Sequence, residues 1–348
     1  LEERQFPVRE LFLLASERSA GTRMQFRGKS VVVKDLKKFD FSTVQIGLFS
    51  AGGSVSAEYA PKAAEAGCVV IDNTSYFRRD EEIPLVVPEV NAHAVANYVN
   101  RNIIANPNCS TIQMVVALKP IYDTVGVSRI NVCTYQAVSG SGKRGIEELA
   151  SQTADLLNAK PLQTEVFTKQ ISFNAIPHIG EFLDNGFTLE EMKMVWETKK
   201  ILDNSIEVNP TTVRVPVFYG HSEAVHLELA QKITANKVKD IFMDNSNDVV
   251  LIDEHKDGGY PCAANECEDS NDVFVGRGYT APNGRPHAES NAIKNSFEDL
   301  KGSKMYVTLE PCNHYGKTPP CTKSIIKSGI SEVIYSMEDI DKKVKGKS

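Results

Sequence analysis

Short apolar runs separated by amphipathic stretches organise the first hundred residues. Glu10–Leu14 (ELFLL) is an apolar run, Ser30–Lys34 (SVVVK) is β-branched, and Val44–Ser50 (VQIGLFS) is an apolar strand that closes in the small-residue loop Ala51-Gly52-Gly53-Ser54. The pattern then predicts a helix over Ala57–Ala66, a buried strand over Cys68–Asp72 and another strand over Ile103–Ala105. Strands alternating with helices at this spacing predict an α/β fold with a parallel, doubly wound sheet. Asn106-Pro107 stops the last strand, and Ser110-Thr111 can cap an apolar helix over Ile112–Leu118.

Beyond Arg129 the periodicity changes. Strands over Ile130–Ser139 and Val213–Phe218 mix with amphipathic helices over Arg144–Asn158 and Thr188–Ile201, which is an α+β arrangement. Cys262–Asp272 (CAANECEDSND) is polar and acidic and reads as a linker or exposed loop. Past it the pattern predicts a helix at His287–Asn295, a strand at Lys304–Leu309, a helix at Thr322–Ser328 and a strand at Glu332–Ser336. The expected domains are therefore 1–108, 109–272 and 273–348.

Composition narrows the class. At 348 residues the chain is long enough for two or three cores. Its 41% hydrophobic and 24% charged residues are ordinary for a soluble globular protein, and a net charge of −6 offers no attraction to nucleic acid or an anionic membrane. No apolar run approaches the roughly 18 residues of a membrane helix, and no basic-then-apolar segment opens the chain. A cytoplasmic protein acting on a small molecule is expected. Seven cysteines, an odd number spread along the chain, argue against a disulfide framework and for thiol or metal chemistry in a reducing compartment. The chain opens Leu1-Glu2-Glu3-Arg4-Gln5 without an initiator Met, which suggests that the start of the gene product is missing or processed.

A thiol becomes a useful nucleophile when its pKa falls, and the unpaired N–H groups of a helix N-terminus lower it. Cys109 occupies such a place: strand end, sharp Asn-Pro turn, then helix. A free cysteine is more often plain core. The polar, turn-rich Asn106–Thr111 is nevertheless a poor way to bury one.

This segment resembles the active-site loop of aspartate-β-semialdehyde dehydrogenases, and the likeness runs from Leu1 to about Val275. It is carried by Ala15–Thr22 (ASERSAGT), Phe49–Ser56 (FSAGGSVS), Ile71–Arg78 (IDNTSYFR), Val86–Asn91 (VVPEVN), Thr134–Gly142 (TYQAVSGSG), Val213–Glu223 (VRVPVFYGHSE) and Glu254–Tyr260 (EHKDGGY). The resemblance implies NADPH-dependent reductive dephosphorylation of aspartyl-β-phosphate through a thioester on Cys109. In that scheme His221 is the general base and Gln136 orients the thioester. Arg214 clamps the substrate carboxylate. Glu191 and Lys193 read the substrate amine and the phosphate, and Arg78 is a second phosphate ligand. On residue type alone, a solvated helix face is an equal reading of Glu191 and Lys193.

For NADP, Ser16, Arg18 and Ser19 resemble the loop that meets the adenosine 2′-phosphate. Ala51-Gly52-Gly53 and Ser139-Gly140-Ser141-Gly142 resemble the loops that let backbone approach the pyrophosphate and nicotinamide. The family dimerises through its second domain, so a homodimer is implied. Its members open with a strand, a glycine-rich turn and a helix. Leu1–Pro7 (LEERQFP) matches the segment just after that turn, which implies an incomplete NADP-binding sheet.

A different constellation occupies the tail: His287-Ala288-Glu289, Pro311-Cys312 and Pro319-Pro320-Cys321. One His and two Cys suit a tetrahedral zinc with its fourth position open to water, and a Glu two residues from a ligand can shuttle protons. Gly276–Gly346 resembles the deaminase domain of riboflavin biosynthesis through Gly278-Tyr279-Thr280, Tyr306–Pro311 (YVTLEP), Asn313–Pro319 (NHYGKTP) and Met337-Glu338-Asp339. That resemblance implies His287, Cys312 and Cys321 as zinc ligands, Glu289 as proton carrier, and His314 and Lys317 near a substrate phosphate or base. The expected fold is therefore α/β: an incomplete doubly wound NADP-binding sheet, an α+β catalytic and dimerisation domain, and a partial cytidine-deaminase-like α/β domain. Three outcomes stay open at this point. They are the dehydrogenase, a zinc deaminase acting on a diaminopyrimidine ribose phosphate, and an inactive chimera of the two.

Overall fold

A two-residue turn at Arg27-Gly28, with φ of 48° and 69°, folds the first hairpin of the computed structural model. Both residues lie in the left-handed region, which matches the twist of the strands they join. The structure describes residues 1–2, 4–245, 249–254, 259–267, 270–276, 293, 300–309, 311–313 and 320–337. Strand β2 (Arg23–Phe26) pairs antiparallel with β3 (Lys29–Asp35), which in turn pairs parallel with β1 (Leu13–Ala15). The parallel sheet expected next is β4 (Ile46–Phe49), β5 (Val69–Asp72) and β6 (Ile103–Ala105), in that order.

Helix α1 (Gly53–Glu65) makes the crossover from β4 to β5, as parallel strands require. Its core-facing side is small: Ala60 and Ala63 are fully buried and Ala64 nearly so, which lets the helix lie close on the sheet. The buried Asp72 at the end of β5 accepts from Ser56 Oγ at 2.6 Å and Thr74 Oγ1 at 2.8 Å, so its charge is not stranded in the core. A short α2 (Pro88–Asn91) follows, and β6 then leads through Asn106-Pro107-Asn108 into α3 (Cys109–Val125).

The second half is built on β7 (Val127–Gln136). Helices α4 (Lys143–Leu157) and α5 (Leu189–Ile201) precede β8 (Glu207–Arg214), which pairs parallel with β7; β9 (Ser222–Leu229) pairs antiparallel on its other side. Then come α6 (Ala235–Asp244), β10 (Val249–Leu251) and β11 (Val273–Val275), with β10 and β11 parallel. One apolar cluster runs through these parts, with Ile83, Ile103, Met114, Ile130, Met194 and Ile206 almost fully buried.

The chain divides into two compact units, Leu1–Arg277 and Gly278–Ser348. Described parts of the second are β12 (Lys304–Leu309), α7 (Cys321–Lys327) and β13 (Glu332–Met337), with β12 and β13 parallel.

Four expectations need correcting. The strand expected over Val213–Phe218 is the end of β8, which begins at Glu207 and stops at Arg214. Its polar, proline-bearing start has no strand pattern of its own; pairing with β7 recruits it, and a Pro is tolerated because β8 is an edge strand. Strand β9 was missed, although SEAVHLEL alternates in polarity as a half-buried strand should. The expected linker at Cys262–Asp272 contains a π-helical turn, Ala263–Cys267. Finally β11, placed in the third domain by its sequence position, pairs with β10 inside the first unit, because its partner strand lies there. The helix expected over His287–Asn295 lies outside the described residues apart from position 293.

Candidate active site

Asn108, not Ser110 or Thr111, is the cap of α3. Its Oδ1 accepts from the N–H groups of Ser110 at 3.0 Å and Thr111 at 3.3 Å, so Cys109 becomes the first helical residue. Two glutamates of α5 hold the same asparagine. Glu190 Oε1 accepts from Asn108 Nδ2 at 2.9 Å, and Glu197 Oε2 accepts from the Asn108 backbone N–H at 2.5 Å. The thiol of Cys109 opens onto a cavity of about 450 Å³ that Arg78, Gln136, Glu190, Lys193 and Arg214 also line.

Strand register assembles the other wall. Gln136 and Arg214 are direct partners across β7 and β8, though 78 positions apart in the chain. Gln136 is buried, with Nε2 donating to Thr134 Oγ1 at 3.3 Å and Glu190 Oε1 at 3.4 Å. Arg214 is seated by donation to Ala137 O at 2.6 Å. Gly140 makes room for it: a Cβ there would stand 3.0 Å from Arg214 Nη1.

Arg78 pairs through Nη1 with Glu197 Oε1 at 3.1 Å and donates through Nη2 to Asn73 O at 3.0 Å. Its buried Nε has no partner among the described residues. Lys193 pairs with Glu190 Oε2 at 3.0 Å. The structure corrects the expectation for Glu191. That carboxylate turns back to the helix start, accepting from the Thr188 N–H at 2.7 Å in a capping box and from the Thr212 N–H at 3.3 Å. Glu190, one residue earlier, is the glutamate that faces the cavity.

Sequence reasoning missed Glu190, Glu197 and Asn108. The available signal was Glu190, Lys193, Glu197 and Lys200, spaced so that all four share one face of α5 with alternating charge. Such a stripe usually faces solvent. Here Glu190 and Glu197 are 7% and 2% exposed, because they lie against the Asn108–Cys109 loop instead.

Burial pushes the Cys109 thiol above its ordinary value and the Glu190 carboxylate adds to this; the Ser110 N–H, Arg214 and Arg78 pull the other way. The Cys109 side chain is nonetheless exposed to the cavity, so the surrounding protein rather than complete burial of the sulfur sets this direction. Burial, then the nearby Arg214 charge, lowers the pKa of His221, which keeps the ring neutral at pH 7. Its Nδ1 accepts from the Ala137 N–H at 3.0 Å, which leaves the ring proton on Nε2. His221 is not among the residues lining the cavity; it stands beside Gly140, whose Cβ would come within 3.7 Å of its Nε2.

The expected cofactor residues fall on three loops. Ser16, Arg18 and Ser19 form a turn after β1, where Ser16 O accepts from the Ser19 N–H at 2.9 Å, and Ser16 and Arg18 are exposed. Ala51, Gly52 and Gly53 link β4 to α1; Gly52 has φ of 104°, open space where a Cβ would be, and no side-chain cap on the helix it starts. Such an uncapped helix start approached by glycine fits a phosphate anion, and Arg18 with its neighbouring hydroxyls fits a second one. Ser139, Gly140 and Gly142 lie in and just after the 3-10 turn Val138–Ser141, and Gly142 (φ 75°) starts α4.

In the second unit, the Cys321 N–H donates to Cys312 Sγ at 3.3 Å. His287, Glu289, His314 and Lys317 lie outside the described residues. Among the described residues no group of three His, Cys, Asp or Glu side chains is gathered for a metal.

A βαβ unit with glycine-bearing loops, followed by an α+β half that presents a cysteine among two arginines and a lysine, defines a protein of the semialdehyde dehydrogenase class. The family models agree. "Semialdehyde dehydrogenase, NAD binding domain" matches residues 1–98 and "Semialdehyde dehydrogenase, dimerisation domain" matches 118–283. "Cytidine and deoxycytidylate deaminase zinc-binding region" matches 237–337, overlapping the dimerisation match over 237–283.

The chain is 60% identical over 278 residues to aspartate-semialdehyde dehydrogenase 2 of Vibrio cholerae, covering 80% of this chain and 81% of that one. It is 58% identical to the aspartate-semialdehyde dehydrogenase of Legionella pneumophila, with 80% of each chain covered. The crystal structure of aspartate semialdehyde dehydrogenase II from Vibrio cholerae matches with a TM-score of 0.77 at 60% identity, over 80% of this chain and 82% of that one. A probable aspartate-semialdehyde dehydrogenase from Pseudomonas aeruginosa matches with a TM-score of 0.75 at 33% identity, with the same shares covered. This chain belongs to the aspartate-semialdehyde dehydrogenase family.

Proposed function

We propose that the chain interconverts aspartyl-β-phosphate and aspartate β-semialdehyde with NADP, through a thioester on Cys109. The observation that carries this reading is Cys109 at the start of α3, in one cavity with Gln136, Arg214, Lys193 and Arg78. In the reductive direction the Cys109 sulfur attacks the acyl-phosphate carbon, the bond to the phosphate oxygen breaks, and the thiol proton leaves with the phosphate. The leaving phosphate is received by the cations Arg78 and Lys193, which both line the cavity. Arg214 takes the substrate carboxylate, Glu190 its ammonium, and Gln136 the carbonyl side of the thioester.

The proton that His221 offers is Nε2–H. We therefore assign it hydrogen-bond donation to the oxyanion at the attacked carbon; the base role that the resemblance implies needs Nε2 bare, with the ring proton on Nδ1. NADP, when bound, supplies or removes the two electrons and the hydrogen exchanged at that carbon. Ser16, Arg18, Ser19, Ala51, Gly52, Gly53, Ser139, Gly140 and Gly142 are the residues that would hold it. The working division is 1–108 for cofactor binding and 109–272 for catalysis and self-association as a homodimer, which sedimentation would check. No helix among the described residues is long and apolar enough to cross a membrane, and the reading places the enzyme in the cytoplasm.

Phosphate-dependent NADP reduction by the purified chain, with the semialdehyde as substrate, is the expected result. Cys109→Ala should abolish it, and activity that survives this change sinks the assignment.

A second reading concerns the C-terminal unit alone, where Cys312 Sγ meets the Cys321 N–H. These two cysteines, with His287, would hold zinc, and Glu289 would carry protons beside it. Stoichiometric zinc in the purified chain, lost in Cys312→Ala, is the expected result; a metal-free chain refutes it.

A further inference from the structure

The charged stripe on α5 does more than line the cavity. Glu197 is 2% exposed and uses both carboxylate oxygens on parts of the site that come from different loops. Oε1 takes Arg78 Nη1 at 3.1 Å, and Oε2 takes the backbone N–H of Asn108 at 2.5 Å, the residue before the nucleophile. One turn further along the helix, Lys200 Nζ donates to three carbonyls of the Arg78 loop: Arg78 O at 3.0 Å, Asp80 O at 2.5 Å and Ile83 O at 2.9 Å. One helix thus fixes both the guanidinium and the peptide that carries Cys109.

A buried ion pair is weak support for stability, because desolvating both charges offsets most of their attraction. Positioning is the better account of why it is here. Glu197 and Asn73 O take Arg78 Nη1 and Nη2, so the guanidinium is held in the cavity lining from one side by α5.

We propose that Glu197 is a positioning residue that ties the Arg78 guanidinium to the Asn108–Cys109 peptide, so that oxyanion capture and nucleophile placement form one unit. The inference rests on the reading above in placing an oxyanion at Arg78. Glu197 itself touches no reacting atom in this scheme. Losing the Glu197 carboxylate frees the Arg78 guanidinium to leave its place in the cavity lining, and any shift of Glu197 is felt directly at Asn108.

The test uses the full chain, inorganic phosphate and iodoacetamide. Phosphate protection of Cys109 from alkylation is measured beside phosphate KM, kcat and Tm, in wild type, Glu197→Gln and Glu197→Asp. The glutamine keeps the volume and one acceptor for Asn108, but turns an amide donor toward Arg78. The phosphate concentration for half-protection should rise about tenfold, the loss of roughly one charge-assisted bond, with phosphate KM rising in step. The aspartate keeps the charge and cannot span both partners, so its value should fall between the other two; it also carries the test if the glutamine variant fails to fold.

A plain structural tie predicts a lower Tm with half-protection unchanged in the folded enzyme, and that result overturns the proposal. Wild type with phosphate-dependent turnover and unmoved variants refutes this inference alone. Wild type with neither turnover nor phosphate protection refutes the functional reading and this inference with it.

Discussion

Gly140→Ala is the sharpest single test of the carboxylate clamp proposed for Arg214. The change adds one methyl in an exposed turn, and Gly140 is not among the positive-φ glycines, so alanine meets no backbone strain there. The new Cβ would stand 3.0 Å from Arg214 Nη1 but 3.7 Å from His221 Nε2. Contact between carbon and nitrogen is comfortable only at about 3.5 Å, so the guanidinium must yield by about 0.5 Å while the imidazole need not move. Arg214 cannot slide freely, because it is buried and its Nη1 is already bonded to Ala137 O at 2.6 Å.

A misplacement of about 1 Å can cost about a hundredfold in rate, so half that shift predicts about a tenfold loss in kcat/KM for the semialdehyde. The loss should be carried mainly by KM. Steady-state kinetics with saturating NADP and phosphate would measure it, with Tm staying within about 2 °C of wild type. The pH profile should not move, since His221 is left in ordinary contact. Arg214→Lys should also raise KM, and the double variant should fall well short of the product of the two, because both act through one guanidinium. A wild-type KM in Gly140→Ala, or strict additivity in the pair, would refute the reasoning.

Two further predictions separate neighbours that look alike in the sequence. Glu190→Gln should raise the semialdehyde KM, because Glu190 faces the cavity and pairs with Lys193 at 3.0 Å; Glu191→Ala should leave KM alone and cost about 1 kcal/mol of stability, because Glu191 serves the capping box. The reverse pattern would restore Glu191 to the site. The other prediction concerns Glu223, on β9, which accepts from Gln113 Nε2 at 2.6 Å and whose pKa burial raises from 4.5 to about 8. With the folded value above the unfolded one, the folded state binds the extra proton between them, so this residue's contribution to stability falls as pH rises from 4.5 toward about 8. Glu223→Gln should therefore resist denaturant better than wild type near pH 8, with the gap closing toward pH 5; a gap that is constant with pH contradicts the assignment.

The backbone around Cys109 was legible in the sequence. Asn106-Pro107-Asn108-Cys109 announces a strand end, a turn and a helix start, because proline and asparagine act on the backbone locally. The alternation of β4, α1 and β5 was equally readable, since apolar periodicity reports directly which side of an element is buried. Local pattern was blind where burial ran against type. Glu190-Lys193-Glu197-Lys200 has the composition of a wetted helix face, and only the packing of α5 on the start of α3 removes Glu190 and Glu197 from water and gives each a partner there. The choice of Glu190 over Glu191 was likewise beyond the sequence, since one residue rotates a helix by about 100° and the orientation is decided by the capping box and by what α5 packs against.

Gln136 meets Arg214 because β7 and β8 pair in one particular register, a fact held in long-range hydrogen bonds rather than in either segment. The residue types at the site, and hence its chemistry, were determined by the sequence. Which of them face the thiol, and how each charge there is balanced, was decided by tertiary packing, because burial and distance set electrostatics and neither exists until the chain has folded.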